Sequence, residues 1–220
     1  MLSFLSGLLS RLMSGLKSRP ISSAGSASPS SPSASSPGSY GKTGSTNPRT
    51  LAWGAKVSAE FRERLFEVAA ALGVYPDYLM ACIAFETAET FRPDIRNAAG
   101  SGAVGLIQFM PATARGLGTS TEALARMSAV EQLDLVRMYF KPYAGRLHTL
   151  SDVYMAILWP KAIGKPEDYV LFTQPSIAYT QNAGLDRDRD GSITKAEAAG
   201  LVLAKLERGR LPGNLWREAA

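Results

Sequence analysis

A glutamate on an apolar stripe is the feature that most narrows what this chain can fold into. From Pro76 the segment PDYLMACIAFETAE begins with a proline suited to a first helical position, and Leu79, Cys82, Ile83 and Glu86 then recur at helical spacing on one face. An isolated carboxylate on a core-facing stripe is costly unless it is neutralised, paired or put to use. Phe85 and Phe91 are placed to desolvate it, and the last turn of a helix carries partial negative charge. Both effects favour the protonated form and raise the pKa towards that of a general acid. Pairing with Arg92 or Arg96 is the structural alternative, and residue pattern alone does not choose between the two.

The chain continues through a short polar bend into Gly102-Ala103-Val104-Gly105-Leu106-Ile107-Gln108-Phe109-Met110-Pro111-Ala112-Thr113-Ala114. Glycines beside Gln108 permit tight turns and close approach of backbone to a ligand, and Met110-Pro111 suits the start of another helix. In this order, the segment from Glu86 onward resembles the soluble lytic transglycosylase and goose-type lysozyme family. There a catalytic Glu, usually followed by Ser, precedes a glycine-rich segment ending in MPxTA; here Thr87 stands in place of the Ser.

The resemblance implies a mainly α-helical, lysozyme-like domain acting on the glycan strands of peptidoglycan. Glu86 would be general acid and then base, with Thr87, Gly105, Gln108 and Met110 on the substrate side. The implied reaction cleaves the β-1,4 bond between N-acetylmuramic acid and N-acetylglucosamine and closes a 1,6-anhydro sugar. The family's Ala-Tyr-Asn-Ala-Gly segment is missing from its usual place, which here reads Tyr154-Met155-Ala156-Ile157-Leu158-Trp159-Pro160. Either this Tyr154 or Tyr179, in a later AYTQNAG stretch from Ala178 to Gly184, could supply a tyrosine near the acid, and Tyr179 is the one carried over to the substrate side. Phage endolysins and virion-associated transglycosylases resemble this variant more closely than bacterial housekeeping enzymes do. The expected place of action is the periplasm or cell wall, reached in a virion, at lysis or by secretion. A hydrolytic muramidase of the same fold would need a second carboxylate to activate water, with Glu89 or Asp94 available. A non-catalytic wall-binding or virion module is the reading outside catalysis.

A second motif begins at Asp186. The run D-R-D-R-D-G-S-I-T-K-A-E follows the twelve-residue calcium loop of the EF-hand: Asp186, Asp188 and Asp190 take the first, third and fifth places. Gly191 takes the turn, Ser192 offers its carbonyl and Glu197 closes the set. All the donors are hard oxygens, which suit calcium better than a transition metal. A solvated acidic turn, partly neutralised by Arg187 and Arg189, is the alternative. No second such loop occurs in the sequence, so a stabilising ion is expected in preference to a switch.

The remaining pattern is support. Residues 1–17 (MLSFLSGLLSRLMSGLK) set leucines at helical spacing over a length too short to span a bilayer. They are expected to dock on a membrane surface or a protein partner, to pack on the protein's own body, or to act as an atypical export signal. Residues 18–50 are rich in Ser, Pro and Gly and read as a flexible linker, leaving 51–220 as the folded domain. The net charge of +5 comes from the region before Glu60, which has six basic residues and no acidic one. The folded part is therefore near neutral, which argues against nucleic acid as partner. One cysteine, Cys82, excludes an intrachain disulfide, and one histidine, His148, excludes a histidine triad or histidine-rich metal site.

Helices are expected from Ser58 to Gly73, from Pro76, from Pro111, after a Ser128/Glu131 capping box, and over 151–159, 166–173 and 175–183. Tyr154 and Trp159 are candidates for stacking on sugar rings or for the core.

Overall fold

The computed structural model describes residues 48–98 and 100–219. The expected amphipathic segment 1–17, and the expected linker as far as residue 47, lie outside the described residues. Arg49 and Thr50 are already part of the body. Strand β1 (Thr50–Leu51) pairs antiparallel with β4 (Trp216–Arg217), Leu51 opposite Trp216. Arg49 binds the carboxylates of Glu63 and Glu218 at 2.9 and 2.7 Å. The two ends of the folded body therefore meet.

The chain is mainly helical. Helix α1 (Ala59–Leu72) starts where the Ser58 side chain accepts the Phe61 N–H and stops at Gly73, which takes a left-handed φ of 68°. Its expected stripe of Phe61, Leu65, Val68, Ala69 and Leu72 is buried. Helix α2 (Pro76–Glu86) begins with its proline, as expected. Its burial is wider than the stripe suggested. Met80, Ala81, Ala84 and Phe85 are buried along with Leu79, Cys82, Ile83 and Glu86, because neighbours pack on all sides of the helix.

Those neighbours are α1, α6 (Leu150–Leu158) and α8 (Lys195–Gly209). Between them lie α3 (Pro111–Gly116), α4 (Thr121–Leu124) and α5 (Ala129–Phe140). The capping box that opens α5 has both hydrogen bonds, Glu131 N–H to the Ser128 hydroxyl and Ser128 N–H to the Glu131 carboxylate. Helix α7 (Ile177–Asn182) follows on a cap by Ser176.

The expected helix over 166–173 is not there. Its second half is strand β2 (Val170–Thr173), paired antiparallel with β3 (Ser192–Thr194). The residues Val-Leu-Phe-Thr favour extended backbone, and β3 supplies a ladder that a helix could not use. Tyr154 belongs to the core: it is fully buried and meets Phe85 edge-on at 5.4 Å, so it cannot stack on an external sugar. Trp159 is half-buried, packed at 5.3 Å on Phe172 with Lys161 over its ring. Cys82 is wholly buried, and burial, then the nearby Glu86, pushes its thiol well above the usual range. Among the described residues no single helix is long and apolar enough to cross a membrane.

One buried ion pair joins α6 to α8. Lys195 Nζ donates to Asp152 Oδ1 and to the Lys165 carbonyl, each at 2.7 Å, while the Gly164 N–H reaches the same Asp152 oxygen at 2.8 Å. Burial acts to raise the Asp152 carboxyl, but the hydrogen bonds from Lys195 and Gly164 outweigh it and hold the group below its usual value. Lys195→Ala should lower stability by about 3–5 kcal/mol, because it strands a buried carboxylate. Asp152→Asn combined with Lys195→Met should recover most of that loss in urea unfolding. A depressed carboxyl stabilises above its unfolded pKa and stops doing so as the pH falls through its folded value. The gap between wild type and Asp152→Asn should therefore be full at neutral pH and close on acidification.

Candidate functional site

Glu86 is the last residue of α2 and is 1 % exposed. The backbone leaves it through a turn made without glycine. Ala88, Glu89 and Phe91 have φ of 49°, 66° and 54°, left-handed values that L-residues seldom adopt. The turn is held by Glu89 N–H to Ala84 O at 2.7 Å and by Thr87. The Thr87 hydroxyl donates to Ile83 O at 2.7 Å and accepts the Phe91 N–H at 3.1 Å, and the residue has no exposed surface. Thr87 thus sits beside Glu86 with its hydroxyl engaged in shaping the helix end. Phe85 turns its ring to Tyr154, and Phe91 turns its ring to Trp53 at 5.8 Å.

The glycine-rich segment forms a small hairpin. Val104 and Phe109 exchange backbone hydrogen bonds of 3.1 and 2.8 Å across the turn Gly105-Leu106-Ile107-Gln108, and Val104 also bridges Arg96. Gly105 has a φ of 91°, and a Cβ there would collide with the Gln132 amide. Gln108 is again left-handed, at 51°. Its Nε2 donates back to Gly105 O at 3.1 Å and to Ile95 O at 3.3 Å.

Gln108 and Met110 line one wall of a small concavity with Ile107, Phe109 and Thr113, and Tyr139 and Ile157 close it. Tyr139 lies on α5. Its phenol is pushed up by burial first, then by Tyr143 and by the charge of Glu86. Its hydroxyl donates to Ala156 O at 2.8 Å. The sequence offered Tyr154 or Tyr179 as a tyrosine near the acid, and Tyr139 was not among the candidates. The only signal for Tyr139 was its place late in a capped amphipathic helix.

Other candidate carboxylates near Glu86 are held by cations. Glu89 binds Lys205 at 2.7 Å and Arg208 at 3.3 Å, tying the turn to α8. Asp94 is gripped by both arms of Arg92, and that contact holds its carboxyl below the usual range. Arg92, one of the two partners considered for Glu86, is thus engaged by Asp94.

Tyr179 lies on α7, from which its hydroxyl donates to Asp186 Oδ2 in the acidic loop at 2.6 Å. That oxygen also accepts the Gly191 N–H at 3.1 Å, and Oδ1 accepts the Arg189 N–H at 2.7 Å. Asp188 accepts from Asp190 N–H, and Asp190 from Ser192 N–H. Oxygens of Asp186, Asp188 and Asp190 all lie within 4.8 Å of one another. Glu197 folds back on the loop, its Oε1 accepting the Arg187 N–H and its Oε2 the N–H and hydroxyl of Thr194. The Tyr179 hydroxyl, followed by backbone N–H groups, holds the Asp186 carboxyl below its usual range. The oxygens of Asp186, Asp188 and Asp190 form a cluster able to hold a hard cation, and Glu197 lies outside that cluster with its oxygens on Arg187 and Thr194. Ser192, the remaining predicted ligand, opens β3.

No family model matches this sequence, and no curated protein sequence matches it.

The turn after Glu86 yields a test of its own. Glycine at an exposed left-handed position relieves about 1 kcal/mol of Cβ crowding while adding freedom to the unfolded chain. Ala88→Gly should leave stability unchanged or raise it by up to about 1 kcal/mol in urea unfolding. Ala81→Gly, inside α2, should lower it by about 1 kcal/mol or more. An equal loss at both positions would mean that Ala88 is not left-handed in solution.

Proposed function

We propose that the protein is a peptidoglycan lytic transglycosylase with a lysozyme-like domain. Glu86 protonates the glycosidic oxygen between N-acetylmuramic acid and N-acetylglucosamine. As that bond breaks, the C6 hydroxyl of the muramic acid attacks its own anomeric carbon. Glu86, now a carboxylate, takes the hydroxyl proton, and the sugar leaves as the 1,6-anhydro form. One carboxylate serves both steps.

The observation that carries this reading is the burial of the Glu86 carboxyl, 1 % exposed at the end of α2, in a chain whose glycine-rich hairpin brings Gln108 and Met110 to one concavity. The cluster of left-handed residues around them supports the same reading, since strained backbone concentrates at working sites. Glu89 and Asp94 are both bound to cations, which favours the single-carboxylate reaction over hydrolysis by a second carboxylate.

Glu86→Gln keeps volume and removes the transferable proton, so clearing of purified sacculi should fall by at least about a hundredfold. The folded yield should be unchanged, because a neutral amide is easier to bury than a carboxylate. Mass spectrometry of the released fragments separates the outcomes. Anhydro ends support the proposal, reducing ends replace it with a hydrolase, and absence of fragments leaves a wall-binding module.

The acidic loop is read as an EF-hand-like calcium site held by Asp186, Asp188, Asp190, Ser192 and Glu197. The oxygen chemistry of the set supports this, as does the sharp turn at Gly191, which takes a φ of 87°. Calcium would neutralise the crowded carboxylates and bind the native state alone. It would stabilise by about 2.7 kcal/mol at a hundredfold excess over the dissociation constant. EGTA should lower the melting temperature and calcium restore it, while magnesium restores it poorly. Asp186→Ala or Glu197→Gln should abolish most of the restoration. Superimposed melting curves on metal-stripped wild type would leave a solvated acidic turn.

A further inference from the structure

The Gly105–Gln108 turn is braced by a side chain that lies outside the glycine-rich segment. Gln132, on α5, has no exposed surface and engages both ends of its amide. Nε2 donates to Pro93 O at 2.7 Å and to Leu124 O at 2.8 Å, and Oε1 accepts the Leu106 N–H at 3.0 Å. The three partners belong to three separate segments: the chain leaving Glu86, the end of α4, and the turn itself. The amide lies so close to Gly105 that a Cβ on that glycine would meet its oxygen, carbon and nitrogen.

The turn depends on such a brace. Two of its four residues, Gly105 and Gln108, are left-handed, and Gln108 is not a glycine. A conformation of that kind persists only where its surroundings over-determine it. Gln108 supplies part of the restraint through its own side chain, and Gln132 supplies the rest by fixing Leu106 and Gly105 from the other side.

We infer that Gln132 is a positioning residue: it sets the Gly105–Gln108 turn, and through it the places of Gln108 and Met110 on the concavity wall, without touching the glycan. The turn-setting part stands on the geometry alone, and the effect on glycan rests on the peptidoglycan reading. Displacing a binding wall by about 1 Å can change a rate up to about a hundredfold.

The test compares wild type with Gln132→Asn and Gln132→Glu. Asn keeps the amide but is one methylene too short to span all three partners. Glu keeps the length and the acceptor for Leu106 but removes both donors and sets a carboxylate against two carbonyls. Each protein is assayed for kcat and KM on glycan strands released from sacculi, for thermal melting, and for amide hydrogen exchange along the chain. Gln132→Asn should lose at least about tenfold in kcat/KM, mainly through KM, with faster exchange confined to residues 104–109. Unchanged exchange at 104–109 overturns the proposal, and so does faster exchange spread over the chain in proportion to the fall in melting temperature. Local loosening with full activity overturns the role in the reaction. Should Gln132→Asn fail to fold, Gln132→Glu is judged by the same criteria; failure of both makes Gln132 a folding residue and overturns the proposal. A wild type that releases no fragments, combined with local loosening in the variants, removes the peptidoglycan reading and sustains the turn-setting one.

Discussion

Helix α2 has almost no outer face, and the rest of the body answers to that constraint. A helix buried on every side satisfies its own backbone but needs apolar partners all round, and its neighbour in sequence, α1, can cover only one side. Helix α1 covers one side, α6 another and α8, the last helix of the chain, a third. Because α8 must return from the far end of the sequence to do this, the ends of the body come together. The β1–β4 pair, the Arg49 ion pairs, and the Trp53 indole N–H on Lys205 O at 2.8 Å all follow from that return. Gly209 has no Cβ to obstruct the Trp53 ring, so the contact closes.

The same burial explains why the end of α2 is strained. A helix that stops inside a protein must turn sharply while satisfying its last carbonyls. Here Glu89 N–H reaches Ala84 O, Thr87 N–H reaches Ile83 O, and the Thr87 hydroxyl shares that second carbonyl. These bonds, with Lys205 and Arg208 on the Glu89 carboxylate, offset three left-handed residues in succession save one. The result is a braced exit that leaves Glu86 at a fixed point at the end of α2. Rigid placement of one carboxylate is what single-acid chemistry demands, and it is the physical basis of the proposed role.

Much of this was legible in the sequence, and what escaped was tertiary. The caps at Ser58 and Ser128, the stop at Gly73 and the proline start of α2 are local chemistry, and they appear where the residues call for them. Strand β2 was read as helix because its partner, β3, lies about twenty residues away in an acidic loop read for its ligands alone. The turn after Glu86 carries no glycine, so nothing local marked Ala88, Glu89 or Phe91 as left-handed. Gln132 looked like one more polar residue in EQLDLV. Its three partners are set by how α4, the hairpin and the chain after Glu86 pack. Tyr179 was singled out by a motif likeness, and the hydrogen bond from its hydroxyl to Asp186 is a tertiary feature that the likeness did not signal.

The acidic loop and the Glu86 turn are joined by one helix, and the order of its contacts says how each affects the other. Helix α8 leaves the loop at Lys195, which the Asp152 pair fixes in the core, and reaches the Glu86 turn at Lys205, about 15 Å further along the axis. The buried anchor sits inside the loop's own span, just before Glu197, and ties the start of α8 to α6. Rearrangement of the loop carboxylates would have to break the Asp152–Lys195 pair before it could shift α8 along α2, and breaking such a pair costs about 3–5 kcal/mol. That exceeds the stabilisation a modest excess of bound ion would provide. Ion binding at the loop, as proposed, would therefore add to the stability of the α8 start and leave the geometry at Glu86 unchanged, a brace for the fold, with the proposed chemistry resting on the carboxylate of α2.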